Sequence, residues 1–184
     1  MKWVVIVLII LIVLVAVLLI ANYNGLVGLR NKIESAYSQI DVQLNRRYSL
    51  IPNLVETVKG YAAHESGTLE KVVQARNLAM NTNGIADKAE AENAITGALK
   101  SVFALSEAYP ELKANTNFQQ LQAELSSTED RIAYARQYYN DNVRAYNTKI
   151  EAFPSNLIAN AFKFTQREYF QAQGDARGDV SVSF

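Results

Sequence analysis

The sequence predicts an all-α protein, an apolar N-terminal helix leading into a bundle of amphipathic helices. Three observations carry this reading. The 184 residues hold only three prolines and eight glycines, too few for a domain built on many tight turns. Residues Trp3 to Ala21 are an unbroken apolar run of 19 side chains. Beyond them, apolar residues recur at spacings of three and four, the period of a helix, and not in alternation.

At a rise of about 1.5 Å per residue the apolar run spans roughly 28 Å, close to the ~30 Å hydrocarbon core of a bilayer. Trp3 and Tyr23 bracket it as membrane-interface residues. A cleavable leader would have a shorter apolar core and a small residue two positions before the cleavage site, where Leu19 precedes Ala21. No cysteine follows that could carry a lipid. Residues 1–21 therefore read as an uncleaved single-pass anchor, residues 22–165 as the helical bundle and residues 166–184 as a C-terminal tail. The α-amine and Lys2 on one side nearly balance Arg30 and Lys32 on the other, so charge alone leaves the orientation open.

Leu26, Leu29, Ile33, Ala36 and Ile40 mark a first bundle helix that continues from the anchor to about Arg47. Pro52 interrupts it, since proline lacks an amide donor and restricts the residue before it. Ser49 is the candidate N-cap of the next helix. Residues 47–52 accommodate either a full reversal or a kink. Val55, Val58, Ala62, Leu69, Val72 and Ala79 share one phase and predict a helix over about 50–80, with Gly67 inside it. Asn81-Thr82-Asn83-Gly84 is a turn, and Asp87 with Glu90 makes a capping box for a helix ending at Pro110. Thr116 with Gln119 opens a last long helix that stops at Phe153-Pro154, its stripe including Leu125, Thr128, Ile132, Ala135, Tyr139 and Tyr146. Leu157, Ile158 and Phe162, flanked by Lys163, form a short apolar face. It either caps the bundle end or lies at the membrane as an interfacial helix, and capping is preferred because the segment is short. Val180, Val182 and Phe184 alternate in the tail.

The composition excludes several functions. Lys+Arg and Asp+Glu number 18 each, without the basic excess of a nucleic-acid binder. With no cysteine and one histidine, neither a thiolate centre nor a multi-histidine metal site can form. His64-Glu65 begins like a zincin helix, but Thr68 stands where the second histidine belongs. Tyr61 occupies the position three before His64, so the Glu-x-x-His pairs of di-iron bundles are missing as well. No nucleophile–base pair or phosphate loop is present, and no catalytic residue, cofactor, metal or small-molecule substrate is expected. The candidate interaction site is Asp41, Arg46 and Arg47 with the neighbouring Pro52 and Asn53. These residues would hold a partner or a phosphate, or else form ion pairs and cap helix carbonyls at a bundle end. Tyr134, Tyr138, Tyr139 and Tyr146 fill seams more readily than they form a recognition face. The tripeptide Arg177-Gly178-Asp179 is read as chance.

Stretches along the whole chain carry a family resemblance. They include Asn22-Tyr23-Asn24-Gly25-Leu26-Val27, Gln39-Ile40-Asp41-Val42-Gln43-Leu44 and Leu50-Ile51-Pro52-Asn53-Leu54-Val55-Glu56. Val58-Lys59-Gly60-Tyr61-Ala62, Ala108-Tyr109-Pro110, Thr128-Glu129-Asp130-Arg131-Ile132-Ala133 and Arg167-Glu168-Tyr169-Phe170 belong with them. Together they resemble the LemA family of bacterial membrane proteins. The resemblance implies an N-terminal transmembrane helix followed by an antiparallel four-helix up-and-down bundle, which favours the reversal near Pro52. It also implies an inner-membrane location with the bundle in the cytoplasm. The family has no established molecular function, and its members often occur beside membrane metalloproteases of the HtpX type. The expectation is a non-enzymatic scaffold or interaction module of the bacterial envelope. It would be held in the bilayer by residues 3–21 and would contact further copies of itself or a membrane-protein partner. The alternative is a regulatory or sensor adaptor of a membrane protease or stress system.

Overall fold

The computed structural model describes residues 1–171, so Val180, Val182, Phe184 and the Arg177-Gly178-Asp179 tripeptide lie outside the described residues. The elements are α1 (Lys2–Lys59), α2 (Ser66–Asn81), α3 (Ile85–Ala108), α4 (Pro110–Ala114), α5 (Thr116–Glu151) and α6 (Ser155–Ala161). No strand occurs among the described residues. The chain divides into two units, one of Met1–Tyr37 with Tyr138–Arg167, the other of Ser38–Gln137 with the described residues 168–171.

In the second unit four helices share one core, and their cross-contacts fix their directions. The Tyr109 hydroxyl, just past α3, donates to Glu65 Oε1 just ahead of α2 at 3.1 Å, so α2 and α3 are antiparallel. Between α3 and α5, Arg136 meets Asn93, Thr96 meets Glu129 and Phe103 packs on Phe118. As one number rises the other falls, which again means antiparallel. The pairs Arg47–Glu129 and Tyr61–Asn115 give the same relation for α1 and α5. The order is up-down-up-down. Ile51, Leu54, Val58, Val72, Ile95, Val102 and Leu112 are completely or almost completely removed from solvent in its core. Burying such side chains stabilises by about 1.5–3 kcal/mol each, the main drive for assembly.

The reversal falls at residues 60–65 and not at 47–52, and α1 runs unbroken through Pro52. Proline removes one helical bond, but Ile51, Leu54 and Val55 on either side of it are buried, and a side chain from α2 takes the freed carbonyl. The helix expected over 50–80 is thus two helices joined by a turn. There the Val58 carbonyl accepts from both Tyr61 and Ala62. Two start signals also move. Gly84, at φ +99°, is the cap of α3, and Asp87 lies within the first turn. For α5 the cap is Asn115, whose Oδ1 accepts from the Phe118 amide at 2.9 Å, one residue ahead of the expected Thr116.

The first unit joins the start of α1 to the end of α5 and to α6. Leu26, Ile33 and Ala36 of α1 are buried, as are Tyr139, Val143 and Tyr146 of α5 and Ile158 and Ala159 of α6. Asn147 locks the chain after α6 by bonding the Arg167 carbonyl and amide, both at 2.9 Å. α6 ends in a Schellman motif, with Phe164 N–H on the Ala159 carbonyl at 2.9 Å and Lys163 N–H on Asn160 at 3.3 Å. Residues 3–21 are exposed along their whole length, and α1 is the one described helix long and apolar enough to cross a membrane.

Candidate functional site

The most concentrated polar chemistry in the second unit is a buried network around Arg47. Arg47 follows Ile40 and Leu44 on the inward face of α1 and precedes Ile51 by one turn, so its guanidinium is driven into the core. It is 1% exposed. Nη1 donates to Glu92 Oε2 at 3.0 Å and Nη2 to Thr96 Oγ1 at 2.7 Å, both on α3. Nη2 also pairs with Glu129 of α5. The Tyr48 hydroxyl donates to Glu92 Oε1, and Arg76 Nε donates to the Tyr48 carbonyl at 2.7 Å. Thr96 Oγ1 lies 3.0 Å from Glu129 Oε1, closing the circuit. Arg47 and two carboxylates therefore join α1, α3 and α5, and Arg76 ties α2 to them through the Tyr48 carbonyl.

Burial pushes the Arg47 guanidinium below the usual arginine range, while the charge and hydrogen bond of Glu92 push it back. Arginine stays protonated, and the pair persists because Glu92, itself 1% exposed, would otherwise be an uncompensated buried anion. Burial, reinforced by the hydrogen bond to Glu92, raises the Tyr48 phenol well above its ordinary value. A phenol held protonated serves as a hydrogen-bond donor and not as a base. The network can fix helices relative to one another, but its cation is closed to any ligand from solvent.

The residues singled out from the sequence do not gather into one site. Arg47 enters the core, whereas Arg46 on the outer face pairs with Glu124 at 3.6 Å, both half exposed. Asp41 accepts from Asn45 at 3.3 Å, one turn along the same helix. Pro52 and Asn53 are exposed, Asn53 using its carbonyl for the Thr57 hydroxyl. All five lie within α1, which continues past Pro52 to Lys59. Sequence reasoning missed Tyr48, Arg76, Glu92, Thr96 and Glu129. A signal existed, since Glu92 stands three residues before Ile95 and seven before Leu99, a charge placed on an apolar stripe. Among the described residues, no group of three or more His, Cys, Asp or Glu side chains could hold a metal ion.

At the other named positions, Trp3 is 80% exposed and Tyr23 packs its ring on Phe162 and Phe164, with centroids at 4.8 and 5.8 Å. The face expected of Leu157, Ile158 and Phe162 is split. Ile158 is buried, while Leu157 and Phe162 face outward.

The LemA family model matches residues 36–184. The chain is 32% identical over 165 residues to Protein LemA of Metamycoplasma hominis, covering 87% of this chain and 74% of that one. It is 28% identical over 190 residues to Magnetosome protein MamQ 2 of Paramagnetospirillum magneticum, covering 89% and 69%. MamQ of Magnetospirillum gryphiswaldense is 26% identical with the same coverage. These relatives and the apolar N-terminal helix make this a membrane-associated helical protein, of a family not known for enzymes. The chain belongs to the LemA family.

Proposed function

We propose that the protein acts by contact, as a non-enzymatic scaffold or interaction module anchored in the bacterial inner membrane by residues 3–21. The observation that carries this reading is the Arg47 network, in which the residues best suited to chemistry are committed to holding helices together. Surface features suit contact better. Between the end of α1 and α2 lies a groove of about 570 Å³ whose lining includes Val55, Ala63, Leu69 and Val73, with Lys59 and Glu70 among the polar groups. Such a groove fits an apolar segment of a second copy or of a membrane-protein partner.

The bundle is assigned to the cytoplasmic side. Membership of the LemA family supports this side, while the flanking charges, Arg30 and Lys32 against Lys2 and the α-amine, are balanced. Protease access to Asn83 in intact spheroplasts tests this, because cleavage from outside would reverse the assignment. Photocrosslinking from Val73 in native membranes tests the contact role. Adducts between copies support a self-assembling scaffold, a single dominant foreign membrane protein supports the regulatory adaptor, and no adduct at all removes this groove as the contact face.

A further inference from the structure

We propose that Phe153, Leu157 and Phe162, together with Lys149 and Lys163, form a second membrane contact that seats the foot of the first unit on anionic lipid headgroups. The inference rests on the reading of residues 3–21 as a bilayer span. Tyr23 lies two residues beyond Ala21, so about 3 Å of helix separates it from the edge of the hydrocarbon. Phe162 packs on Tyr23 at 4.8 Å between centroids, which holds it in the headgroup layer and not in bulk water. Phe153, Leu157 and Phe162 are 79%, 59% and 61% exposed, whereas their neighbours Ser155, Ile158 and Ala159 are buried. Large apolar side chains pointing outward beside a membrane span are continuous with an apolar surface that lipid already covers.

Charge points to the same surface. In the first unit outside the span, six basic residues face three acidic ones, while Ser38–Gln137 holds ten basic and twelve acidic. The net charge of zero thus hides an excess of cations in the segment next to the bilayer. The Lys149 ammonium reaches Gly25, one turn from Ala21, closely enough that a Cβ there would collide with it. Lys163 has φ +56° at the C′ position of the Schellman motif, where glycine is the residue of least strain. A lysine there forgoes backbone stability and places a cation beside Phe162. Near an anionic leaflet a basic residue is drawn to the headgroups. Seven residues of α6 are too few to bind a membrane unaided, but the span already confines them at the surface, so little entropy remains to be lost.

The test uses the full chain, which has no native cysteine, in vesicles of phosphatidylcholine with or without phosphatidylglycerol. Single cysteines at Ile12, Leu157 and Asn83 carry an environment-sensitive dye, and nitroxide lipids report depth. The Leu157 dye is expected to be quenched by shallow nitroxides, more strongly with phosphatidylglycerol, and the Asn83 dye to stay unquenched. Lys163→Gly with Lys149→Gln should abolish the dependence on phosphatidylglycerol, and Lys163→Gly by itself should leave the fold at least as stable. Quenching at Ile12 with none at Leu157 leaves the anchor intact and overturns this proposal. No quenching at Ile12 removes the anchor and the proposal together. Efficient disulfide formation between two Leu157 cysteines, independent of lipid charge, reassigns the patch to a second copy.

Discussion

Arg76 donates its Nε–H to the carbonyl oxygen of Tyr48, and Tyr48 is the residue that Pro52, four positions on, leaves without a helical donor. The defect in α1 and its repair lie on different helices. Removing Arg76 should therefore expose the cost of Pro52. Arg76→Met should destabilise by about 1–3 kcal/mol, the penalty of a half-buried carbonyl left unsatisfied. Pro52→Ala restores an amide at position 52 and should recover most of that loss. Urea unfolding of the four members of this double-mutant cycle measures it, and strictly additive effects would refute the coupling.

The Arg47 network should respond unequally to single and joint replacement. Arg47→Met strands the buried Glu92 and should cost about 3–5 kcal/mol, whereas Glu92→Leu leaves Arg47 with Glu129 and Thr96 and should cost less. Joining both with Tyr48→Phe removes the buried stranded groups and leaves only Glu129, which solvent reaches, without its cation, so the triple variant should lie close to the natural protein in stability. Chemical denaturation monitored by circular dichroism decides between this and a simple sum of losses.

Alkaline pH should find Tyr48. Its phenol titrates higher folded than unfolded, so the folded state holds the proton longer. The resulting stability is complete below the unfolded value of about 10 and declines as pH rises above it. Stability measured between pH 9 and 11.5 should fall, and Tyr48→Phe should make the fall shallower. Tyr109 is raised too, by its hydrogen bond to Glu65, but it is solvent-accessible and its share is screened. An unchanged slope in Tyr48→Phe would dismiss the assignment.

Two glycines of α3 and its cap should behave oppositely. At Gly97, inside the helix, a Cβ would meet nothing within 4 Å, so Gly97→Ala should stabilise by roughly 0.5–1 kcal/mol. Gly84 stands at φ +99° and ψ 144°, a conformation nearly reserved for glycine, and Gly84→Ala should cost about 1–3 kcal/mol. Thermal melts of the two variants would contradict this if they shifted the same way.

Much of the architecture could be read from periodicity because burial follows side-chain phase. Val55, Val58, Ala62, Leu69, Val72 and Ala79 are all buried, as their common phase requires. The break between α1 and α2 was hidden for the same reason. Ala62 stays buried within the turn, so the apolar phase passes across residues 60–65 as though the helix continued. Pro52 misled in the other direction, since its usual cost is offset by an arginine 24 residues later that no local rule connects to it. For the candidate site, Arg47 could be noticed but its surroundings could not. A charge pattern along one helix does not say which carboxylate from another helix will face it.

The core of the second unit includes small side chains, among them Ala62, Ala79, Ala89, Ala91 and Ala135, all buried. Alanine interlocks less than a branched side chain and so does less to stop one helix sliding a turn along its neighbour. Arg47 removes that freedom, because a displacement of one turn, about 5.4 Å, would carry it out of reach of Glu92, Thr96 and Glu129 at once. The ionic centre works as a register key, and its worth lies less in strength than in leaving the bundle a single way to align.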